Sequence, residues 1–211
     1  MDNKRKDIDK YYTIEEKNES EIKIKGSKFI AQAAPVADKD EALMFLESVR
    51  AKHYNANHNC FAYRIGYDGL EFRASDDGEP SGSAGKPILF EIKKHNVSDI
   101  IVVVTRYFGG TKLGVGGLAR AYSEAAGQTI EMCRRRPVHR TIPVRVFCTY
   151  EDISAVKRLV DEYAITFEEE YTDAVEFLAN IPISKVDDFA GRITEDTGAR
   201  AGTIIEKNNS D

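Results

Sequence analysis

The segment Thr105-Arg-Tyr-Phe-Gly-Gly-Thr-Lys-Leu-Gly-Val-Gly-Gly117 sets five glycines and two basic residues between an apolar run and a helical pattern. Gly109, Gly110, Gly114, Gly116 and Gly117 carry no Cβ, so a ligand can approach the main chain closely. Unbonded amides and the positive end of a helix dipole at such a junction suit an anion. Arg106, Lys112 and Arg120 can add charge-assisted contacts, and Tyr107 with Phe108 can stack a base. The chemistry expected is phosphate binding, from a nucleotide or a nucleic-acid backbone. The alternative is structural: a tight strand-to-helix connection whose glycines only permit close packing, with the aromatic pair packed on a neighbouring strand.

A second loop, Arg73-Ala-Ser-Asp-Asp-Gly-Glu-Pro-Ser-Gly-Ser-Ala-Gly85, holds acidic and hydroxyl residues among glycines. Ser83 fails as a nucleophile at a strand–helix elbow, because Ser81 stands where that turn needs glycine. No base is tied to it by sequence, so these residues are expected to turn the chain and cap amides. A Walker A loop is excluded by Pro80 and Pro87, which replace its first glycine and its Ser/Thr. Gly114-x-Gly116-x-x-Ala119 lies too far past its strand for a dinucleotide fingerprint. His53, His58 and Cys60 lack the second ligand pair of a zinc site, so Cys60 reads as a small buried residue. No catalytic residue, metal or cofactor is expected.

The elements that must hold these loops follow from composition and period. The chain has 211 residues, 42% hydrophobic and 31% charged, a globular balance with room for two modest domains. No apolar run approaches the ~20 residues of a membrane helix. The start MDNKRKDIDKYY has no apolar signal region, and three cysteines are too few for a disulfide framework. A soluble protein of the reducing cytoplasm is expected. Residues 138–211 carry 8 Lys/Arg against 15 Asp/Glu, a net of −7, while the remainder carries 22 against 20, a net of +2. The change falls at Arg134-Arg-Arg-Pro137, where a helical pattern meets proline. The expected division is an N-terminal extension (1–19), two domains (20–137 and 138–207) and a tail (208–211).

In the second domain, strands are expected over 143–150, 165–171, 174–181 and 201–206, with helices over 152–163 and from Val186 to before Gly198. A turn at Thr172-Asp173 joins the middle strands, and the order βαββαβ is that of a ferredoxin-like unit. The first domain should run through a strand near 20–34, a helix near 39–53, a hairpin (57–67 and 70–74), a helix from Pro87, a buried strand (99–107) and a long helix from the Gly-rich loop. In the hairpin, Phe61, Tyr63, Ile65 and Tyr67 share one face, His58, Cys60, Ala62 and Arg64 the other. The fold class is therefore α+β in two domains.

Gly85-Lys-Pro-Ile-Leu-Phe-Glu-Ile92, Val97 and Val103-Val-Thr-Arg-Tyr-Phe-Gly-Gly-Thr-Lys-Leu-Gly114 resemble the signature of the YigZ/IMPACT family, with its spacing intact. His58-Asn-Cys-Phe-Ala-Tyr63 and Ser75–Gly85 are similar too, and the likeness covers about 20–133. The resemblance implies an N-terminal domain like the second domain of a ribosomal small-subunit protein. It also implies a C-terminal domain like the last domain of elongation factor G. Eukaryotic members restrain a starvation-sensing kinase of translation initiation, with help from an extra N-terminal domain that has no counterpart in these motifs. For bacterial-type members the family implies nucleic-acid or ribosome association, without settled catalytic residues.

Two functions are expected in turn. One is a translation-linked regulatory protein that binds RNA or a ribosome-associated partner through a basic surface of Arg64, Arg73, Lys86, Arg106, Lys112 and Arg120. Its acidic second domain would be repelled by phosphate backbones and suits a protein partner. The other is a small-molecule phosphate or nucleotide site, with enzymatic use of the same loop.

Overall fold

The computed structural model describes residues 8–172 and 174–206. The tail, residue 207 of the expected second domain, the first seven residues of the extension and Asp173 of the expected turn lie outside them. The first elements are β1 (Lys10–Ile14), β2 (Asn18–Ile24), β3 (Ser27–Pro35), α1 (Lys39–Lys52), β4 (His58–Ile65) and β5 (Glu71–Ser75). They continue through α2 (Gly85–Lys94), β6 (Ile100–Tyr107), α3 (Gly114–Met132) and β7 (Arg135–His139). β8 (Thr141–Cys148), α4 (Ile153–Tyr163), β9 (Thr166–Tyr171), β10 (Val175–Pro182), α5 (Val186–Asp196) and β11 (Gly202–Ile205) follow. Two compact units result: Tyr12–Pro137 forms one, and the residues up to Tyr11 join those from Val138 onward in the other.

The first unit is an antiparallel five-stranded sheet in the order β2-β3-β6-β4-β5. Its centre, β6, is the apolar run Ile100–Val104, fully buried on both faces. Side-chain alternation sorts the neighbouring strands into two cores. Phe29, Ala31, Cys60, Ala62, Val102 and Val104 face α2 and α3, while Phe61, Tyr63, Ile65, Ile101 and Val103 face α1. Phe61, Tyr63 and Ile65 thus share one face of β4 and Cys60 and Ala62 the other, as its period requires, while Tyr67, expected on the first face, falls beyond the end of the strand. The long strand expected near 20–34 is broken into β2 and β3 at Lys25-Gly26, both with φ in the left-handed region (46° and 82°). Gly26 tolerates that geometry because it has no Cβ.

The extension departs from expectation. From Tyr12 it belongs to the first unit: Ile14 is fully buried in the α2/α3 core, and Thr13 Oγ1 donates to the Asp99 carbonyl at 2.9 Å. The signal is short and sits far from its partners in sequence. β7, likewise unanticipated, pairs with β1 in a two-stranded sheet even though it contains Pro137.

The second unit has the sheet order β11-β8-β10-β9, all antiparallel, with α4 and α5 packed on it. That is the ferredoxin-like arrangement expected from the element order. Val156, Leu159 and Val160 of α4 and Phe189 and Ile193 of α5 are buried against Val144, Val146, Phe177 and Ile181. Gly198, just past α5, takes φ +59° as a helix-ending residue should.

Candidate anion-binding site

β6 delivers Arg106 to the α2/α3 face beside Phe29 and His58, its register partners on β3 and β4. Arg106 is buried, with only 7% of its side chain exposed. Its Nη1 donates to Glu79 Oε1 at 2.6 Å and its Nη2 to Ser27 Oγ at 3.4 Å. The guanidinium carbon lies 5.5 Å from the ring centroids of both Phe29 and Phe108. Tyr122, from α3, donates to the same Glu79 oxygen at 2.8 Å. Burial, with the Cys60 thiol and the Glu79 carboxylate alongside, pushes the Tyr122 hydroxyl far above the ordinary phenol range, so it remains a donor. Burial likewise pushes the Cys60 thiol up to about 12. A buried ion pair holds only when its remaining donors are satisfied. Arg106 Nε is buried and has no hydrogen-bond partner among the described residues. An unmet buried donor costs about 1–3 kcal/mol.

Next to this pair opens a cavity of about 420 Å³. Arg106, Glu79 and His58 supply polar lining, and Phe108, Lys112 and Gly114 supply the loop side. Two helices begin near these loops, and their ends differ. At α2, Asp76 lies across the N-terminus: Oδ1 accepts from the Ala84 and Gly85 amides (3.0 and 2.9 Å), Oδ2 from that of Gly82 (2.8 Å). Burial works to raise this carboxyl, but the three amides and nearby Lys86 outweigh it and hold it below the ordinary carboxylate value. The expected capping use of the 73–85 loop is thereby met by one residue. At α3 no side chain bonds to the first-turn amides among the described residues. Gly114 has φ +71°, and a Cβ at Gly114 or Gly116 would meet nothing within 4 Å. Room for a ligand exists there.

The residues expected at the site divide into three groups. Arg106, Lys112 and Gly114 line the cavity, and Gly116 follows on the first turn of α3. Gly109, Gly110, Gly117 and Arg120 serve the loop itself. A Cβ on Gly109 would stand 1.8 Å from the Gly26 carbonyl carbon, and its amide already donates to Ser27 Oγ at 3.2 Å. Gly110 needs its left-handed φ of +86°; Gly117 lies 3.2 Å (as a built Cβ) from Leu113 Cβ; Arg120 Nε donates to the Gly116 carbonyl at 3.2 Å. Arg64, Arg73, Lys86 and Tyr107 are not lining residues. Arg64 sits at the other end of β4, opposite Ile100, donating to the Val97 carbonyl at 3.0 Å. Arg73 and Tyr107 fall on the α1 face by strand alternation, Arg73 over Phe61 and Tyr107 hydroxyl 3.0 Å from His53 Nδ1. Lys86 is exposed at the start of α2. One contiguous basic surface of all six cations is therefore not what the fold builds.

A family model described as the Impact N-terminal domain matches residues 25–130, and a second, a domain of unknown function, matches 146–200. The IMPACT family member YvyE of Bacillus subtilis is 36% identical over 195 residues, spanning 90% of this chain and 88% of the relative. This chain belongs to the IMPACT family. The family member YigZ of Escherichia coli is 34% identical, over 82% of this chain and 86% of the relative. A crystal structure described as that of a hypothetical protein aligns over 95% of this chain and 99% of its own, at 28% identity and a TM-score of 0.67. Every residue lining the cavity lies inside the matched IMPACT N-terminal segment. Glu79 and His58 were visible in the sequence as acidic and imidazole residues, but Glu79 meets Arg106 from the loop between β5 and α2, 27 positions away, and His58 by strand pairing across 48.

Proposed function

We propose that this IMPACT-family protein is a translation-linked regulatory protein of the cytoplasm that binds RNA in the cavity at the start of α3. One observation carries the proposal: the start of α3, which no side chain caps among the described residues, borders the same cavity as the Arg106 guanidinium. A phosphate oxygen is the acceptor that suits both. Lys112, exposed on the loop, adds charge, and Phe108, 48% exposed with a guanidinium behind its ring, offers a face for a base. The resemblance to the family supplies the translational setting. The acidic second unit suits a ribosome-associated protein partner rather than the nucleic acid.

Fluorescence-anisotropy titration of labelled oligouridine at several salt concentrations tests this. Lys112→Ala should weaken binding and reduce the slope of log affinity against log salt by about 0.7, the contribution of one single-strand phosphate contact. Unchanged affinity and slope would remove the loop from the site. A second reading rests on the cavity volume of about 420 Å³, within the range of small-molecule sites. If mononucleotides displace oligouridine as effectively as unlabelled oligomer does, a small phosphorylated ligand is the better assignment.

A further inference from the structure

His58 lines the cavity from the end of β4. Its Nδ1 lies 2.8 Å from the Asp77 carbonyl oxygen. A carbonyl only accepts, so Nδ1 carries the hydrogen, and in the neutral ring Nε2 is left as an acceptor. Nε2 makes no hydrogen bond among the described residues. The partner that fixes this tautomer is itself immobilised. Asp77 has φ 43°, its Oδ2 accepts from the Asn59 amide at 2.7 Å, and its Oδ1 pairs with Arg50 Nη2 at 3.0 Å. The cavity therefore presents donors on its Arg106, Lys112 and α3 side and, besides the Glu79 carboxylate that pairs with Arg106, an oriented acceptor at His58 Nε2. An ionised phosphodiester has no hydrogen to give that acceptor. The group adjoining every RNA phosphate that does is the ribose 2′-hydroxyl, which DNA lacks.

We propose that His58 Nε2 accepts a hydrogen bond from the 2′-hydroxyl of a ribonucleotide whose phosphate lies at the start of α3, so that the site selects RNA over DNA. This rests on the proposed RNA-binding function and makes His58 a specificity-determining residue. Oligouridine and oligodeoxyuridine of equal length, differing only at the 2′ position, are titrated at low salt against the wild-type protein, His58→Ala and His58→Gln. The wild type should bind the ribo-oligomer roughly fivefold more tightly, the effect of one net hydrogen bond. His58→Ala should lose that preference, binding the two oligomers equally, with a far-ultraviolet circular-dichroism spectrum that matches the wild type and so shows that it is folded. His58→Gln, whose amide oxygen can accept, should recover part of the preference. Equal wild-type affinities, or a preference that survives His58→Ala, would overturn the inference and leave the RNA-binding proposal standing. Binding of neither oligomer would overturn both.

Discussion

Replacing Asp76 by alanine removes the only side chain that, among the described residues, bonds to the amides at the start of α2. Three amide donors, of Gly82, Ala84 and Gly85, lose their acceptor at once. Charge-assisted bonds are stronger than average, but Asp76 is partly open to solvent, which screens it; about 1 kcal/mol for each gives a loss of about 3 kcal/mol. Because the chain has two units, a single global midpoint would mix their unfolding. Hydrogen exchange by mass spectrometry on peptides spanning Gly85–Lys94 reads the affected helix directly. A loss of about 3 kcal/mol accelerates exchange about a hundredfold, at 1.4 kcal/mol per decade. The pH dependence has a definite sign. The folded carboxyl lies below the ordinary value, so its contribution is complete above the unfolded value of about 3.9 and disappears as pH falls through the folded value. The difference between wild type and variant should therefore be full at neutral pH and narrow below about pH 4. Acceleration of less than about threefold at neutral pH, under about 0.7 kcal/mol, would refute the capping role.

Two glycines separate packing from binding. Gly109→Ala places a methyl group against the Gly26 backbone, which has no flexible end to move aside, and should cost about 3 kcal/mol in a thermal or urea unfolding series. Gly116→Ala meets nothing within 4 Å and lies inside a helix, so stability should hold or rise by about 0.5 kcal/mol while oligouridine affinity falls; undiminished affinity would mean that no ligand approaches the first turn of α3. All three cysteines are buried and burial raises each thiol, Cys60 to about 12, so a thiol reagent at neutral pH should label none until the protein unfolds. Prompt labelling of Cys60 in the native protein would show that the α2/α3 core opens readily.

The second unit was legible because each element carries its own period. Val156, Leu159 and Val160 mark one helix face, and the strands alternate, so element order alone yields the sheet. The first unit was legible where a strand is apolar throughout, as in β6, or alternates, as in β4. It was less legible where structure depends on distant partners. β1 and β7 are short, and their partners are distant: they pair with each other across more than 100 residues, and β1 also bonds to Ser98 and Asp99. The site was legible as two loops but not as a cavity. The basic residues of β4, β5 and β6 looked alike in sequence, yet alternation and strand end send Arg106 to the cavity, Arg73 to the α1 face and Arg64 to the opposite end of its strand. Glu79 looked like a turn residue because nothing local shows that it meets Arg106.

The contrast between the two helix starts has a consequence for how this protein responds to its surroundings. The anion at α2 is tethered: Asp76 travels with the chain, and dilution cannot remove it. Among the described residues no side chain does the same at the start of α3, so on the proposed function its occupancy would follow the concentration of the ligand that diffuses in. A guest that binds only the folded unit adds RT ln(1 + [L]/Kd) to its stability, about 2.7 kcal/mol at a hundredfold excess over Kd. With one terminus filled from within and its twin left open, resistance to unfolding becomes a gauge of the ligand present, and depletion of that ligand would register first as a softer N-terminal unit.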